Sequence, residues 1–231
     1  MAQQGLAFEQ GTVAVPPGAL NVIVHKLYNP EGITQYNIVP GLLGTILQMT
    51  MVMMTAMGLT RETERGTMEN LLAMPISPLE IMLGKVLPFL AVGAVQMTVI
   101  LIAAKVLFGV PFVGALWLLL SGVLIFVMAL VLLGYSISTV AQSQMQAMQL
   151  SFFFFLPSIL LSGFMFPYRG MPGWAQVLGE ALPLTHFLRL VRAVMLKGAG
   201  LADVQSTVLA LMGFVVVFAG LALSRFRRTL D

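Results

Sequence analysis

The 231 residues contain no cysteine, and the two histidines, His25 and His186, stand far apart. Disulfides and thiolate metal sites are thereby excluded, and no ligand spacing surrounds either imidazole, so no metal site is expected. Charge is almost as scarce. Only 9% of residues are charged, against roughly 25% in a soluble domain, while 58% are hydrophobic and the mean hydropathy is +0.95. From Val106 to Tyr168 there is not one charged side chain. Such a chain has the bilayer as its solvent, and no nucleic-acid partner is expected.

What is present is long apolar runs. A helix needs about 20 residues to cross the hydrocarbon, and five segments qualify: Ile38–Leu59, Val86–Phe108, Phe112–Val140, Met148–Phe166 and Val204–Leu223. Between the third and fourth, Ala141-Gln142-Ser143-Gln144-Met145-Gln146 reads as a tight turn. None of the five holds a carboxylate or histidine, and Lys105 stands near a helix end where it can snorkel. Ion-coupled carriers use such groups within their crossings, so that class is disfavoured. No Gly-x-x-x-x-Gly-Lys-Ser/Thr occurs either, since Gly84-Lys85 is followed by Val86; the chain is not expected to hydrolyse ATP.

The charge that does exist is concentrated in Arg61-Glu62-Thr63-Glu64-Arg65-Gly66-Thr67-Met68-Glu69-Asn70, between two apolar runs. It belongs in water or at a protein contact. Gly66 weakens a helix, Thr67 can cap a new one over Met68–Met74, and Pro75 ends it. Ser77-Pro78-Leu79-Glu80 then forms a capping box that starts the next helix, with Pro88 expected to kink it. As chemistry alone, the segment is equally an ordinary loop of solvated ion pairs or a docking element.

Residues 167–205 are too long for a simple connection and too broken to cross twice. They predict two short amphipathic helices, Trp174–Leu182 and about His186–Lys197, the second capped by Thr185 and ended at Gly198, with Tyr168 and Trp174 at the membrane interface. Arg189 and Arg192 are expected to anchor the second helix to lipid headgroups rather than to contact cargo. Gln48 and Gln96 are expected to bond between helices. At the other terminus, residues 1–37 carry strand-like pieces, Thr12–Val15 and Ala19–Val24, and read as the tail of a domain outside the membrane. Basic residues divide evenly between the two sides, so only Arg225-Phe226-Arg227-Arg228 places the C-terminus inside.

Several of these pieces recur together in one family. Arg61-Glu62-x-Glu64-Arg65-Gly66-Thr67-x-Glu69-x-Leu71-Leu72, followed by Pro75, Glu80, Gly84-Lys85 and Pro88, resembles the ABC-2 type permeases of bacterial ATP-driven exporters. Asn29-Pro30, Val39-Pro40-Gly41, Leu156-Pro157-Ser158, Leu161-Ser162-Gly163-Phe164, Phe166-Pro167, Met171-Pro172 and Leu182-Pro183-Leu184-Thr185-His186-Phe187 agree with it. The resemblance implies an all-α polytopic transmembrane domain over 38–228, with a coupling segment at 61–85, interfacial or re-entrant helices outside the cytosol at 167–205, and a short cytosolic end at 229–231. It implies that Arg61, Glu62, Arg65, Gly66, Thr67 and Glu69 couple to a separate ABC ATPase, which would hold the ATP. Phe164, Phe166, Pro167, Met171, Pro172, His186, Arg189 and Arg192 would shape the exit. The bacterial inner membrane, a second permease copy or paralogue and a periplasmic adaptor complete the implied setting. Family members have a further crossing before an extracytoplasmic domain, so the resemblance implies that this sequence corresponds to the C-terminal portion of such a permease.

A permease for an amphiphilic or hydrophobic cargo, not itself an enzyme, is therefore the leading expectation. A non-transporting scaffold or an inactive permease fragment that holds a cytosolic partner is the alternative. A Ser162/His186 hydrolase is a distant third, for lack of any supporting motif. Met49, Met51, Met53, Met54 and Met57, with Phe152–Phe155, could line a lipophilic path but are also ordinary membrane filler.

Overall fold

A computed structural model of the chain describes residues 34–66 and 78–226. The expected N-terminal strand pieces, the short helix at 68–74 and residues 227–228 lie outside the described residues. Seven helices follow in order: α1 Thr34–Glu64, α2 Pro78–Val106, α3 Leu116–Ser138, α4 Gln144–Leu161, α5 Gly173–Glu180, α6 Pro183–Lys197 and α7 Leu201–Phe226, with a 3-10 turn at Tyr168–Gly170 before α5. No strand occurs among the described residues. Five helices, α1 to α4 and α7, are long and apolar enough to cross a membrane.

These helices form because nothing in hydrocarbon competes with the main chain for its own hydrogen bonds. Hydroxyls inside the crossings obey the same rule. Thr60 donates to the carbonyl of Ala56 at 2.8 Å, Ser151 to Ala147 at 2.7 Å and Ser158 to Phe154 at 2.8 Å, each one turn back. The polar turn after α3 is narrower than its sequence suggested: Ser143 caps α4 by accepting from the Gln146 amide at 3.2 Å, so Gln144 is already helical.

Two crossings are shorter than the apolar runs that encode them. α3 begins at Leu116, not Phe112, because the Val113 amide is bonded to the Met195 carbonyl at 3.1 Å. α4 ends at Leu161, with Gly163 at φ 85, so Phe164–Phe166 leave the helix. Pro88 sits inside α2, which runs continuously across it.

The core forms where α3 meets α1 and α6. About three-fifths of α3 and α1 are buried within the protein, against 17% for α2, α4 and α7, whose other faces are left for lipid. α6 docks by stacking Phe187 on Phe126 of α3, centroids 4.0 Å apart and rings within 7° of parallel. Leu184, Phe187, Leu188, Leu190 and Val191 are all buried. At the other end of the α1–α3 contact, a Cβ on Gly134 would meet the Thr55 Cβ at 2.8 Å and the Val52 carbonyl oxygen at 2.9 Å. Only hydrogen fits there, because helix backbone cannot retreat as a side-chain tip can.

Gly134→Val should therefore lower stability by about 1–3 kcal/mol through overpacking, read as a lower unfolding temperature in detergent. Gly213→Ala in α7, where a Cβ meets nothing within 4 Å, should leave that temperature unchanged.

Candidate functional sites at the two ends of the bundle

At one end, α1 does not stop where its apolar run stops. It continues through Arg61, Glu62 and Glu64, and the break comes at Arg65–Gly66, where the Gly66 amide bonds the Thr63 carbonyl at 3.1 Å and φ is 70. The membrane helix thus carries the first charges of the segment itself. Glu62 Oε2 lies 2.5 Å from the Lys85 ammonium in the second turn of α2. The Lys85 side chain is only 10% exposed, so this is no ordinary solvated pair: a withdrawn ammonium depends on its counter-charge. Glu64 Oε2 accepts from Gln144 Nε2 at 2.7 Å. Two successive carboxylates of α1 therefore hold the N-terminal portions of α2 and α4. Arg61 and Arg65 are exposed. Thr67 and Glu69 lie outside the described residues.

Midway along the bundle the two glutamines behave differently. Gln96 exchanges bonds with Thr50 at 2.7 and 2.9 Å, joining α2 to α1. Gln48, expected to do likewise, is 1% exposed with no partner for either amide atom among the described residues. It faces α4 across a cavity of about 10 Å³ beside Ser151 and Phe155, far too small for a cargo molecule. The methionines form no single wall, since Met51 is buried whereas Met49 and Met54 face outward.

The opposite end is built by α5, α6 and the loop from Gly163. Pro183 opens α6 in its first turn, and Gly198, at φ 65, ends it. Thr185 is not the cap: it lies inside the helix and donates to the Gly179 carbonyl at 2.6 Å, because the proline starts the helix two residues earlier. Arg189 and Arg192 likewise bind protein. Arg192 donates to the Gly163 carbonyl at 3.1 Å beneath the Phe164 ring, which packs on Gly41. Arg189 makes a two-pronged pair with Glu180, at 2.5 and 3.0 Å, and lies 4.5 Å over the Tyr168 ring. The Tyr168 hydroxyl is 2.7 Å from Glu180 Oε1, and His186 Nε2 is 2.9 Å from the Glu180 carbonyl. Glu180 is the hub, and it fastens the loop to both short helices. Phe166, Pro167, Met171 and Pro172 line a separate apolar groove beside this hub. Ser162 is buried with no hydrogen bond from its hydroxyl and none to His186, so no nucleophile–base pair exists here.

Five crossings with charge confined to helix ends and no titratable group midway define a polytopic helical membrane domain. The chain belongs to the ABC-2 type transporter family, whose sequence model matches residues 12–196. It is 32% identical over 92% of its length to the probable multidrug ABC transporter permease YbhR of Escherichia coli, covering 58% of that protein. To YbhS, also a probable multidrug ABC transporter permease of E. coli, it is 32% identical, covering 92% of this chain and 56% of that one. To the inner membrane transport permease YhhJ of the same organism it is 36% identical, covering 82% and 52%. The chain thus spans somewhat over half the length of these relatives.

Tyr168, Glu180, Lys85 and Gln144 were not singled out as site residues from sequence. One signal was available for Glu180, the only acidic residue between Glu80 and Asp203. Its hydrogen bonds from Arg189 hold the carboxyl below the usual range, and Arg189 is raised by the same pair. Burial, followed by the bond to Glu180, raises Tyr168, and burial lowers Arg192.

A depressed carboxylate stabilises above its unfolded pKa, and that contribution is lost as pH falls through the folded value. The hub should hold through neutral pH and open only in acid, below the ordinary glutamate range. With Trp117→Phe leaving Trp174 as the sole tryptophan, Trp174 emission should stay constant down to that range and then shift. Glu180→Gln should show the shifted emission at every pH. The partners are half-exposed, so the stability change is at most about 1 kcal/mol.

Proposed function

We propose that this chain is the permease subunit of an ATP-driven exporter, forming the membrane path for an amphiphilic or hydrophobic cargo. Its family, and the multidrug permeases among its relatives, support export of that class. Hydrolysis belongs to a separate ABC ATPase, since these residues carry no phosphate-binding Gly-x-x-x-x-Gly-Lys-Ser/Thr. The domain pairs with a second copy or a paralogue in the bacterial inner membrane, with the C-terminus and the Arg61–Glu69 segment in the cytosol.

The observation that carries the reading is how that segment is tied to the helices. Arg61, Arg65 and Glu69 supply charge for register on the ATPase, and Gly66 sets the turn. A displacement of the segment reaches α2 through Glu62 and Lys85, and α4 through Glu64 and Gln144. Three crossings therefore receive one push. At the far end, Phe164, Arg192 and the Glu180 hub hold the loop at which the path would open.

The test is co-purification in mild detergent with ATPases of its own host. A stoichiometric nucleotide-binding partner is expected. Arg65→Glu, at an exposed residue, should reduce its recovery about tenfold if the segment docks there by charge, as a desolvated interface pair would. Equal recovery with Arg65→Glu would remove the segment as the docking element, and no partner at all would remove the exporter reading.

A further inference from the structure

Where α4 ends, the bundle carries a groove of about 410 Å³, within the roughly 300–1,000 Å³ of small-molecule sites. Its floor is Leu160 and Leu161, the last residues of a crossing, and its walls are Phe166, Met171, Trp174 and Ala175, with the turn between Pro167 and Pro172 closing one side. Among the described side chains, no charged one lines it. We infer that this groove is a binding site for one acyl chain of a phospholipid from the leaflet at this end of the bundle.

Three observations select that occupant. First, the floor is continuous with a membrane-facing surface. α4 is the shortest crossing, 18 residues or about 27 Å at 1.5 Å per residue, so its last turn lies at or inside the edge of about 30 Å of hydrocarbon. The groove therefore opens into the acyl layer and not into water. Second, the rim is apolar yet turned outward: Phe166 is 55% exposed and Trp174 66%. An indole at such a rim is the usual marker of the headgroup boundary. Third, the polar groups stand at one edge only. Tyr168, between groove residues Pro167 and Gly170, carries Arg189 over its ring. Arg189 has two of its nitrogens on Glu180 and a side chain 41% exposed, which leaves further N–H groups for a phosphate. Tail in the groove and phosphate at Arg189 match a phospholipid end to end. The hub around Glu180 keeps the walls in place, so the site is preformed.

The experiment uses the full chain in phosphatidylcholine vesicles containing a phosphatidylcholine with a diazirine on one acyl chain. Photolabelled peptides are mapped by mass spectrometry, with exposed Val95 and Val99 of α2 as the reference for ordinary lipid contact. Labelling of 160–175 should exceed the reference by about tenfold, the preference that one charge-assisted hydrogen bond from Arg189 to the phosphate gives. Gly170→Phe should abolish the excess and leave α2 labelling unchanged, because a Cβ there meets nothing within 4 Å and the backbone is not left-handed. Trp174→Glu, at an exposed rim position, should do the same should the first variant not fold. Labelling equal to that of α2, or an excess that survives both substitutions, overturns the assignment. So does protection of 160–175 from the probe with cross-links to a second chain, which would give the groove to another copy.

Discussion

The ion pair between Glu62 and Lys85 is the contact on which the proposed coupling depends. Hydrocarbon supplies no hydrogen-bonding partner and solvates no charge, so every charged group must sit at an end or bring its own counterpart. Lys85, 10% exposed, does the latter, and its counterpart is the residue that carries α1 beyond its apolar stretch. That pair and the Glu64–Gln144 bond together tie the charged end of α1 to α2 and α4.

The same rule shapes the opposite end, with a different outcome. Arg189 and Arg192 sit on a helix whose other side is core, and both bond protein, Arg189 to Glu180 and Arg192 through one nitrogen to the Gly163 carbonyl, while the buried Arg192 Nε has no partner among the described residues. α6 is therefore packed along its apolar side against α1, α3 and α7. The Phe126–Phe187 stack and the buried leucines fix its depth. α1 and α3, the two most buried crossings, connect this helix with the Glu62 end.

Much of this was legible before any coordinates. The crossings follow from uncharged runs, Gly198 from the αL stop after a basic last turn, and the polar turn from its glutamines and Ser143. The rest was not, for physical reasons. The amphipathic pattern of α6 reports that one face is apolar but not that protein covers it, nor that Arg189 also bonds Glu180 and Arg192 the Gly163 carbonyl. Gln48 and Gln96 are the same residue in similar apolar surroundings, and only the position of Thr50 separates them. The Glu180–Arg189 pair spans a helix break, where no i,i+4 spacing signals contact. Thr185 reads as a good cap only until Pro183, two residues earlier, is seen to start the helix.

In the proposed coupling, Glu62 and Lys85 hand movement of the charged segment to α2. A charge-swap cycle tests it most directly: Glu62→Lys, Lys85→Glu and both together, reconstituted with the ATPase and scored for cargo-stimulated ATP hydrolysis alongside unfolding temperature. Each single change should lose stimulation, and the double swap should regain most of it, with the coupling between the two positions exceeding their separate effects. Singles that retain stimulation, or a folded double swap that does not regain it, would contradict the claim.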